Sequence, residues 1–294
     1  MYRTKDQLSS PEGISNDVLV EDLSADVDGL RVRFVRSGSG PALVLVHGLL
    51  GYSYSWRHTI SGLAQNSTVY ALDLPGAGYS NGSPEMDCGM RACAERLLRF
   101  MDAVGIRDCD LLGTSHGGAV AMMAASIAPK RVRNLILVDP VNPWSAHGRL
   151  LSVLLSNPVV APIFCKFVPS FELLHDLYFR RMYGDTRRIR PGTLEGYMKP
   201  LYRPGALEYG LSILRSWNRD LKELGSIFPR ISHLRTLIVW GSLDTAVDPA
   251  SAAKLKPQFQ NSELVIMEGV GHLPYEEVPE QFVKVVSGFL RRQD

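Results

Sequence analysis

Short, almost wholly apolar runs recur along the chain, and amphipathic stretches separate them. The runs lie at residues 41–48, 68–74, 108–115, 134–140, 236–242 and 262–269. Runs of this length are typical of strands that are buried on both faces, as in a parallel sheet. Stretches such as residues 89–105 and 280–294 place apolar residues on one face of a helix. The alternation predicts an α/β fold whose mostly parallel, doubly wound sheet is covered by helices on both sides.

Residues 18–38 precede the first of these runs and contain a turn signal. Two stretches rich in β-branched residues are joined there by Asp28 and Gly29, a dipeptide that favours tight turns. We therefore expect two antiparallel strands before the parallel part of the sheet.

Residues 145–231 interrupt the alternation. They are rich in Leu, Phe, Tyr and Arg and contain no good strand run, so we expect a helical cap or lid inserted into the sheet. The predicted organisation is a first core part (residues 1–144), the cap (145–231) and a second core part (232–294). The cap carries 13 Lys and Arg against 7 Asp and Glu, which is typical of a solvated helical surface or of a mild attraction for anionic substrates.

Composition excludes few classes of function, but it bears on the expected partners and on the cellular compartment. The chain has 294 residues, is 45% hydrophobic and has a formal net charge of +2, so its charge gives no reason to expect nucleic acid or a membrane as a partner. No apolar run approaches the roughly 18 residues of a membrane-spanning helix, and the start has no signal-peptide run. The cysteines, Cys88, Cys93, Cys109 and Cys165, form no Cys-x-x-Cys pair. We expect small buried hydrophobes in a reducing, cytoplasmic setting.

The stretch LLGTSHGGAVAM, residues 111–122, places Ser115 in a Gly-x-Ser-x-Gly pattern between an apolar strand and a small-residue helix. A nucleophile on such a sharp turn is exposed beside the N-terminus of the helix, where N–H groups and the dipole favour a developing oxyanion. The alternative is a serine that only caps the helix. Since the strand and the helix both flank it, we predict that Ser115 is a nucleophile.

A serine hydroxyl needs a base, and the adjacent His116 is badly placed because neighbouring side chains diverge on such a turn. Among the seven histidines, only His272 lies in a tight loop directly after the last apolar strand. Catalytic groups collect at strand ends in such sheets. We predict that His272 is the general base.

The acid that orients the base is expected between the serine and the histidine in chain order. Asp248 precedes Pro249 and a helical run, which is typical of a helix cap. Asp244 lies free in the loop after its strand and is our choice, while Asp139, at the end of the preceding strand, is the competing position. We expect the backbone N–H groups of Leu49 and His116 to form a two-donor oxyanion hole.

Five segments in this order resemble the α/β-hydrolase superfamily: HGLLGYSYSW, DLPGAGYS, GTSHGG, WGSLDTAVDP and GVGHLPYEEVP. The resemblance is to the serine-nucleophile, esterase-like branch with a helical cap. It implies a catalytic triad of Ser115, Asp244 and His272, with Leu49 and His116 as amide donors. It implies no metal and no organic cofactor.

The resemblance leaves the substrate open. The leading hypothesis is a carboxylesterase acting on small-to-medium esters, a small-molecule partner. Serine at the elbow argues against haloalkane dehalogenases and epoxide hydrolases, which use aspartate there. Carbon–carbon bond hydrolases of ring-cleavage diketones typically have Trp after the histidine, where this chain has Leu273. Lipases, thioesterases, perhydrolases and a small-molecule receptor on the same scaffold also fit.

Aromatic side chains of the predicted cap are candidates for the walls of an apolar pocket, although we expect most of them to form the cap's own core. They are Phe164, Phe167, Phe171, Tyr178, Phe179 and Trp217.

Overall fold

The sheet of the protein has eight strands, as seen in a computed structural model that describes residues 19–83, 85–145, 153–155, 157, 160 and 172–292. The strands are β1 (Val20–Val27), β2 (Leu30–Ser37), β3 (Ala42–Val46), β4 (Thr68–Leu72), β5 (Cys109–Thr114), β6 (Val132–Val138), β7 (Arg235–Gly241) and β8 (Ser262–Met267). Their order is β1-β2-β4-β3-β5-β6-β7-β8. Strands β1 and β2 pair antiparallel with their neighbours, and all other pairs are parallel. The predicted mostly parallel sheet is confirmed.

The helices of the described residues follow the predicted alternation. Those with four or more consecutive described residues are α1 (Ile60–Leu63), α2 (Met90–Ala103), α3 (His116–Ile127), α4 (Glu172–Arg181), α5 (Thr193–Met198), α6 (Ala206–Ser226), α7 (Phe228–Ile231), α8 (Ala252–Leu255), α9 (Pro274–Glu277) and α10 (Pro279–Arg291). None of them is long and apolar enough to cross a lipid bilayer.

The sheet is buried on both faces, as its apolar runs predict. In β3, Val44 and Val46 point into the cluster that contains α2 and α3. Leu43 and Leu45 point into the cluster on the other face, which contains α1 and α10. Successive side chains of a strand alternate between faces, so a strand with two buried faces has no position for a polar residue.

The first two strands form the predicted hairpin. Val27 pairs with Leu30 across the turn, and Asp28 and Gly29 both have positive φ, 53° and 78°. Two positive φ values in succession are typical of the type I′ turn, whose twist matches the twist of the flanking strands.

One predicted helix is broken. The pattern after Asp248 predicts a single helix, but only α8 is α-helical, and short 3₁₀ turns, Pro249–Ser251 and Lys256–Gln258, flank it. Pro257 lacks the N–H that would continue the α-helical ladder. Asp248 caps the first turn by accepting a hydrogen bond from Ala250 N at 2.9 Å, as the sequence predicts.

The described helices of the insertion, α4 to α7, lie between β6 and β7, and its described residues contain no strand. The long helix α6 packs apolar residues such as Ile213, Leu221 and Leu224 into the cluster that holds α2 and α3. The insertion and the sheet therefore share one core. The domain bounds stay a prediction.

Three cysteines, Cys88, Cys93 and Cys109, are buried free thiols. Burial raises the pKa of each, to about 12 for Cys109, so they remain protonated and behave as small hydrophobes. Cys165 lies outside the described residues.

Candidate active site

Ser115 stands on the turn between β5 and α3. It has φ 53° and ψ −123°, a conformation that costs a non-glycine residue about 1–3 kcal/mol and persists only where neighbours enforce it. Here the backbone is held at three points. Ser115 N donates to Val138 O at 2.9 Å, and Ser115 O accepts from Gly118 N at 3.0 Å and Val141 N at 2.9 Å. The half-buried side chain is thereby presented at the carboxyl edge of the sheet.

The glycines of the elbow are required by close backbone contacts. A Cβ on Gly113 would collide with the carbonyl of Gly117, and a Cβ on Gly117 would collide with the carbonyls of Val46 and His47. Neither obstacle is a flexible side chain that can move aside. The Gly-x-Ser-x-Gly pattern is thus the steric condition for packing β5, α3 and β3 around the serine.

His272 and Asp244 come together at the same edge of the sheet. Both are buried, and His272 Nδ1 lies 2.8 Å from Asp244 Oδ2. The second oxygen of Asp244 accepts from Ala246 N at 2.7 Å and Val247 N at 3.0 Å. Since an ionised carboxylate only accepts, it holds the imidazole proton on Nδ1 and leaves Nε2 as the basic nitrogen.

A second carboxyl group, that of Asp139, lies beside this pair. Asp139 is fully buried and accepts from Gly241 N at 2.8 Å through Oδ1. Its Oδ2 has no hydrogen-bond partner. Burial, and next the charge of Asp244, raise the pKa of Asp139 well above its usual range. The structure thus brings both candidate acids to the histidine, whereas Asp248 is exposed at its helix cap.

Asp139, Asp244 and His272 are also the one group of three metal-ligating side chains found among the described residues, with one ligand atom from each lying within 4.8 Å of the others. The hydrogen bond between His272 and Asp244 already uses Nδ1 and Oδ2. The arrangement suits proton transfer rather than metal ligation.

The loop after β3 approaches the serine with its backbone. A Cβ on Gly48 would lie 3.0 Å from Ser115 Cβ, so this glycine faces Ser115. The loop is braced by the buried His47, whose Nε2 accepts from Leu74 N at 3.0 Å and whose Nδ1 lies 2.8 Å from Gly48 O. Because Nε2 accepts, the imidazole proton is on Nδ1 and is donated to Gly48 O. Burial lowers the pKa of His47, which keeps this neutral form.

The backbone N–H groups of Leu49 and His116, the predicted oxyanion donors, have no backbone acceptor among the described residues. His116 is the first residue of α3, where backbone N–H groups have no partner within the helix. Among the backbone hydrogen bonds of the described residues, none is donated by Leu49 N or His116 N. Both groups are available to a ligand.

The His116 side chain has a different environment from its backbone. Its ring is buried and stacks on Trp217 of α6, with centroids 6.2 Å apart and planes at 21°. Burial, and next the neighbouring His47, lower the pKa of His116 to about 3. His116 Nε2 and Trp217 Nε1 are both buried without a hydrogen-bond partner. The ring is therefore a neutral wall between the elbow and the insertion.

The loop that carries His272 packs backbone against backbone. His272 N donates to Met182 O, in the insertion, at 2.7 Å. A Cβ on Gly271 would collide with Met182 O, one on Gly241 with Gly271 O, and one on Gly184 with the histidine loop. The end of β7, the histidine loop and the insertion therefore meet with no side chain between them.

Glu277, in α9, fastens this junction. Its buried carboxylate accepts from Gly271 N at 2.6 Å and Gly184 N at 3.0 Å through Oε1. Its other oxygen accepts from Asp185 N at 3.3 Å and lies 3.2 Å from Arg188 Nη1. One side chain thus joins the residue before His272 to the insertion.

Glu276 makes a second junction between α9 and the insertion. It forms a bidentate ion pair with Arg57, with distances of 2.5 and 2.8 Å, and accepts from Tyr197 Oη at 2.7 Å. The Arg57 guanidinium lies 3.8 Å from the centroid of Tyr54. This network lies beside the histidine loop but does not contact His272.

The sequence pattern does not reveal these two junctions. The available signal was the pair of adjacent glutamates in HLPYEEVP, close to the predicted base and within an apolar context. Apart from Gly271, their partners described above are about 80 to 220 residues away along the chain, so no local pattern connects them.

The predicted aromatic lining is placed only in part. Trp217 stacks on His116, Tyr178 is 62% exposed, and Phe179 packs on Tyr183 and Tyr197. Phe164, Phe167 and Phe171 lie outside the described residues.

Comparisons with known proteins agree with this architecture. A family model described as the alpha/beta hydrolase fold matches residues 41–159. The chain is 32% identical to a dihydrolipoyllysine-residue acetyltransferase component of an acetoin cleaving system from Cupriavidus necator, over 94% of this chain and 72% of that protein. It is 30% identical to a pimeloyl-[acyl-carrier protein] methyl ester esterase from Aeromonas hydrophila, over 89% of this chain and 100% of that protein.

A solved structure extends the likeness to three dimensions. The 2-hydroxy-6-oxo-6-phenylhexa-2,4-dienoate hydrolase from Rhodococcus sp. strain RHA1 superposes with a TM-score of 0.80, covering 94% of this chain and 100% of that chain at 22% identity. At this identity the likeness shows the fold alone. With the relatives above, it confirms the resemblance found in the sequence: the chain belongs to the α/β-hydrolase superfamily.

Proposed function

We propose that the protein is a serine carboxylesterase that cleaves small-to-medium carboxylic esters through an acyl-enzyme on Ser115. The observation that carries the proposal is the pairing of a strained serine at the N-terminus of α3 with a buried histidine whose Nδ1 lies 2.8 Å from Asp244. A relative named as a methyl ester esterase supports the same class of substrate.

In the acylation half of the reaction, Ser115 Oγ attacks the ester carbonyl while His272 Nε2 takes the hydroxyl proton. Asp244 stabilises the imidazolium that forms. The carbonyl oxygen becomes an oxyanion and accepts hydrogen bonds from Leu49 N and His116 N, each worth about 3–4 kcal/mol in the transition state. The imidazolium then gives its proton to the leaving alkoxide, the carbon–oxygen bond breaks, and alcohol departs.

In the deacylation half, water replaces the alcohol. His272 Nε2 takes a proton from water as its oxygen attacks the acyl carbon, and a second oxyanion forms in the same place. Collapse of this intermediate breaks the bond to Ser115 Oγ, which recovers a proton from His272. One ester and one water yield one acid and one alcohol, with no cofactor in the balance.

The test removes the nucleophile. Ser115→Ala is expected to lower kcat on p-nitrophenyl butyrate by about 10⁴- to 10⁶-fold, because the hydroxyl that attacks the ester is removed. Ser226→Ala, at the exposed end of α6, is the matched control and is expected to leave kcat unchanged. A folded Ser115→Ala variant with near-normal turnover would contradict the proposal.

The substrate is approached with a panel of p-nitrophenyl esters of increasing acyl length, methyl esters, lactones, thioesters and a vinylogous diketone. An esterase is expected to turn over the esters repeatedly and the diketone poorly. A small-molecule receptor on the same scaffold would instead react with a serine-directed phosphonate and show one turnover or none on every ester.

A further inference from the structure

We propose that Asp139 is a positioning residue of this site, whose carboxyl group keeps a proton at neutral pH and donates it in a hydrogen bond to Asp244. The inference rests on the proposed function, because it assigns Asp244 and His272 to the acid and base of the ester-cleaving reaction.

The geometry sets two carboxyl groups against one imidazole. Asp139 and Asp244 are 0% and 6% exposed. One oxygen of each lies within 4.8 Å of the other and of a nitrogen of His272. Two unscreened negative charges at this distance in a buried site repel strongly, so the pair retains a proton, as paired carboxyl groups do elsewhere.

The hydrogen-bond donors around each group decide which carboxyl holds the proton. Asp244 accepts from two backbone N–H groups and from His272. Asp139 accepts from Gly241 N alone, and its Oδ2 has no donor. The charge is better stabilised on Asp244. A proton on Asp139 Oδ2 gives that oxygen the partner it lacks, since the neutral acid donates where the carboxylate only accepts.

The groups that face Asp139 favour its neutral form. Asp244 follows β7, His272 follows β8, and Glu277 and Tyr275 belong to α9; the charges of Asp244 and Glu277 both raise the pKa of Asp139. Its backbone is fixed as well, with φ 45° and a hydrogen bond from Asp139 N to Val239 O at 2.9 Å. The backbone of Asp139 is therefore fixed at the end of β6, and the hydrogen bond from Gly241 N holds its carboxyl group there.

The consequence for the reaction is a weaker stabilisation of the imidazolium by Asp244. A donor on Asp244 spreads its negative charge, so the carboxylate attracts the imidazolium less strongly. Loss of this donor is expected to move the acidic limb of the kcat/KM profile to higher pH, a change that a merely structural residue would not produce.

The first experiment compares two substitutions. Asp139→Asn keeps an acceptor for Gly241 N and a neutral donor for Asp244, and asparagine tolerates positive φ. Its kcat/KM on p-nitrophenyl butyrate is expected to stay within about 3-fold of the wild type, and the acidic limb of its pH profile is expected not to move. Asp139→Ala removes the donor and is expected to move the acidic limb upward by about 0.5–1 pH unit. Asp248→Asn, at the exposed helix cap, is the control.

Two outcomes of this comparison overturn the inference. If Asp139→Asn shifts the acidic limb as far as Asp139→Ala does, the neutral donor is not what acts. If Asp139→Asn loses kcat/KM by more than about 10³-fold, Asp139 is itself the ionised acid of the triad.

The second experiment needs no turnover. An infrared difference spectrum of wild type minus Asp139→Asn at pH 7 is expected to contain the carbonyl stretching band of a protonated carboxylic acid. A difference containing only carboxylate bands overturns the inference. The band depends on the protonation of Asp139 and not on ester cleavage, so failure of the proposed function and failure of this inference are distinguishable.

Discussion

Glu277 and Asp220 are buried carboxylates that join the inserted helices to two different parts of the protein. Glu277 accepts N–H bonds from the insertion and from Gly271, the neighbour of His272. Asp220, in α6, accepts from Met90 N at 2.9 Å at the start of α2, and from Ser216 Oγ at 2.6 Å. The helix α2 has no side-chain cap of its own, so α6 supplies one across the junction.

A buried carboxylate that accepts backbone N–H groups across a junction therefore has different consequences at the two places. Near the histidine, it stabilises the fold and fixes the loop that carries His272, the proposed base. At α2, which carries none of the candidate site residues, it stabilises the fold alone. Glu277 is therefore expected to affect both stability and catalysis, and Asp220 to affect stability alone. Variants at the two carboxylates test this difference.

The largest effect is expected at Glu277. Glu277→Gln removes a charge that accepts four N–H groups and presents an amide N–H₂ to some of them, which should lower the free energy of unfolding by about 1–3 kcal/mol. Displacement of the histidine loop should also lower kcat on p-nitrophenyl butyrate by about 10- to 100-fold. Urea unfolding and steady-state kinetics measure the two effects, with Glu280→Gln on the exposed side of α10 as control. A normal kcat would show that the histidine loop keeps its position without the hydrogen bonds to the Glu277 carboxylate.

A smaller effect, on stability alone, is expected at Asp220. Asp220→Asn weakens the cap on α2 and its favourable interaction with the helix dipole, at a cost of about 1–2 kcal/mol. The value of kcat at saturating ester should change by less than about 2-fold, because α2 positions no reacting group. Glu208→Gln, exposed in the first turn of α6, is the control. A fall in kcat comparable to that of Glu277→Gln would abolish the distinction between the two junctions.

The smallest effect is expected from His58, at the Glu276 junction. Its Nδ1 lies 3.0 Å from Arg190 Nη1, and its Nε2 lies 4.0 Å from the carboxylate of Glu276. Burial, and then the charges of Arg57 and Arg190, lower the pKa of His58 to about 4. In the unfolded chain the imidazole titrates at its ordinary, higher pKa. As the pH falls from about 6.5 towards 4, the unfolded state binds a proton that the folded state does not, so stability is lost.

The His58→Gln variant lacks this proton uptake. The stability of the wild type relative to His58→Gln should therefore decrease between pH 7 and pH 4.5, as measured by urea unfolding at several pH values. A difference that stays constant over this range would mean that His58 has its ordinary pKa in the folded protein.

The parts of the site that the sequence predicts are those with local causes. The elbow of Ser115 follows from glycines within two residues of it, and the sheet follows from apolar runs that leave no polar face. His272 and Asp244 are identifiable because each follows an apolar strand in the expected order. Their roles remain predictions, but the structure does bring the two together.

The parts that the sequence does not predict depend on contacts between distant segments. Asp139 and Asp244 compete in the sequence because β6 and β7 are neighbours whose carboxyl ends converge, and only the hydrogen bonds of each group distinguish them. The hydrogen bonds of Glu277 join segments about 90 residues apart. The break at Pro257 is different, because proline is a local signal that the helical pattern of the surrounding residues obscures.

The backbone contact among Gly184, Gly241 and Gly271 has a consequence for engineering the protein. Substitutions that reshape a binding pocket normally act by exchanging side chains, and this junction has none to exchange. Any library that randomises these three positions would consist mainly of misfolded members, whereas α6 offers side chains such as Trp217 above the elbow. Directed changes of substrate range should therefore start from α6 and leave Gly184, Gly241 and Gly271 unchanged.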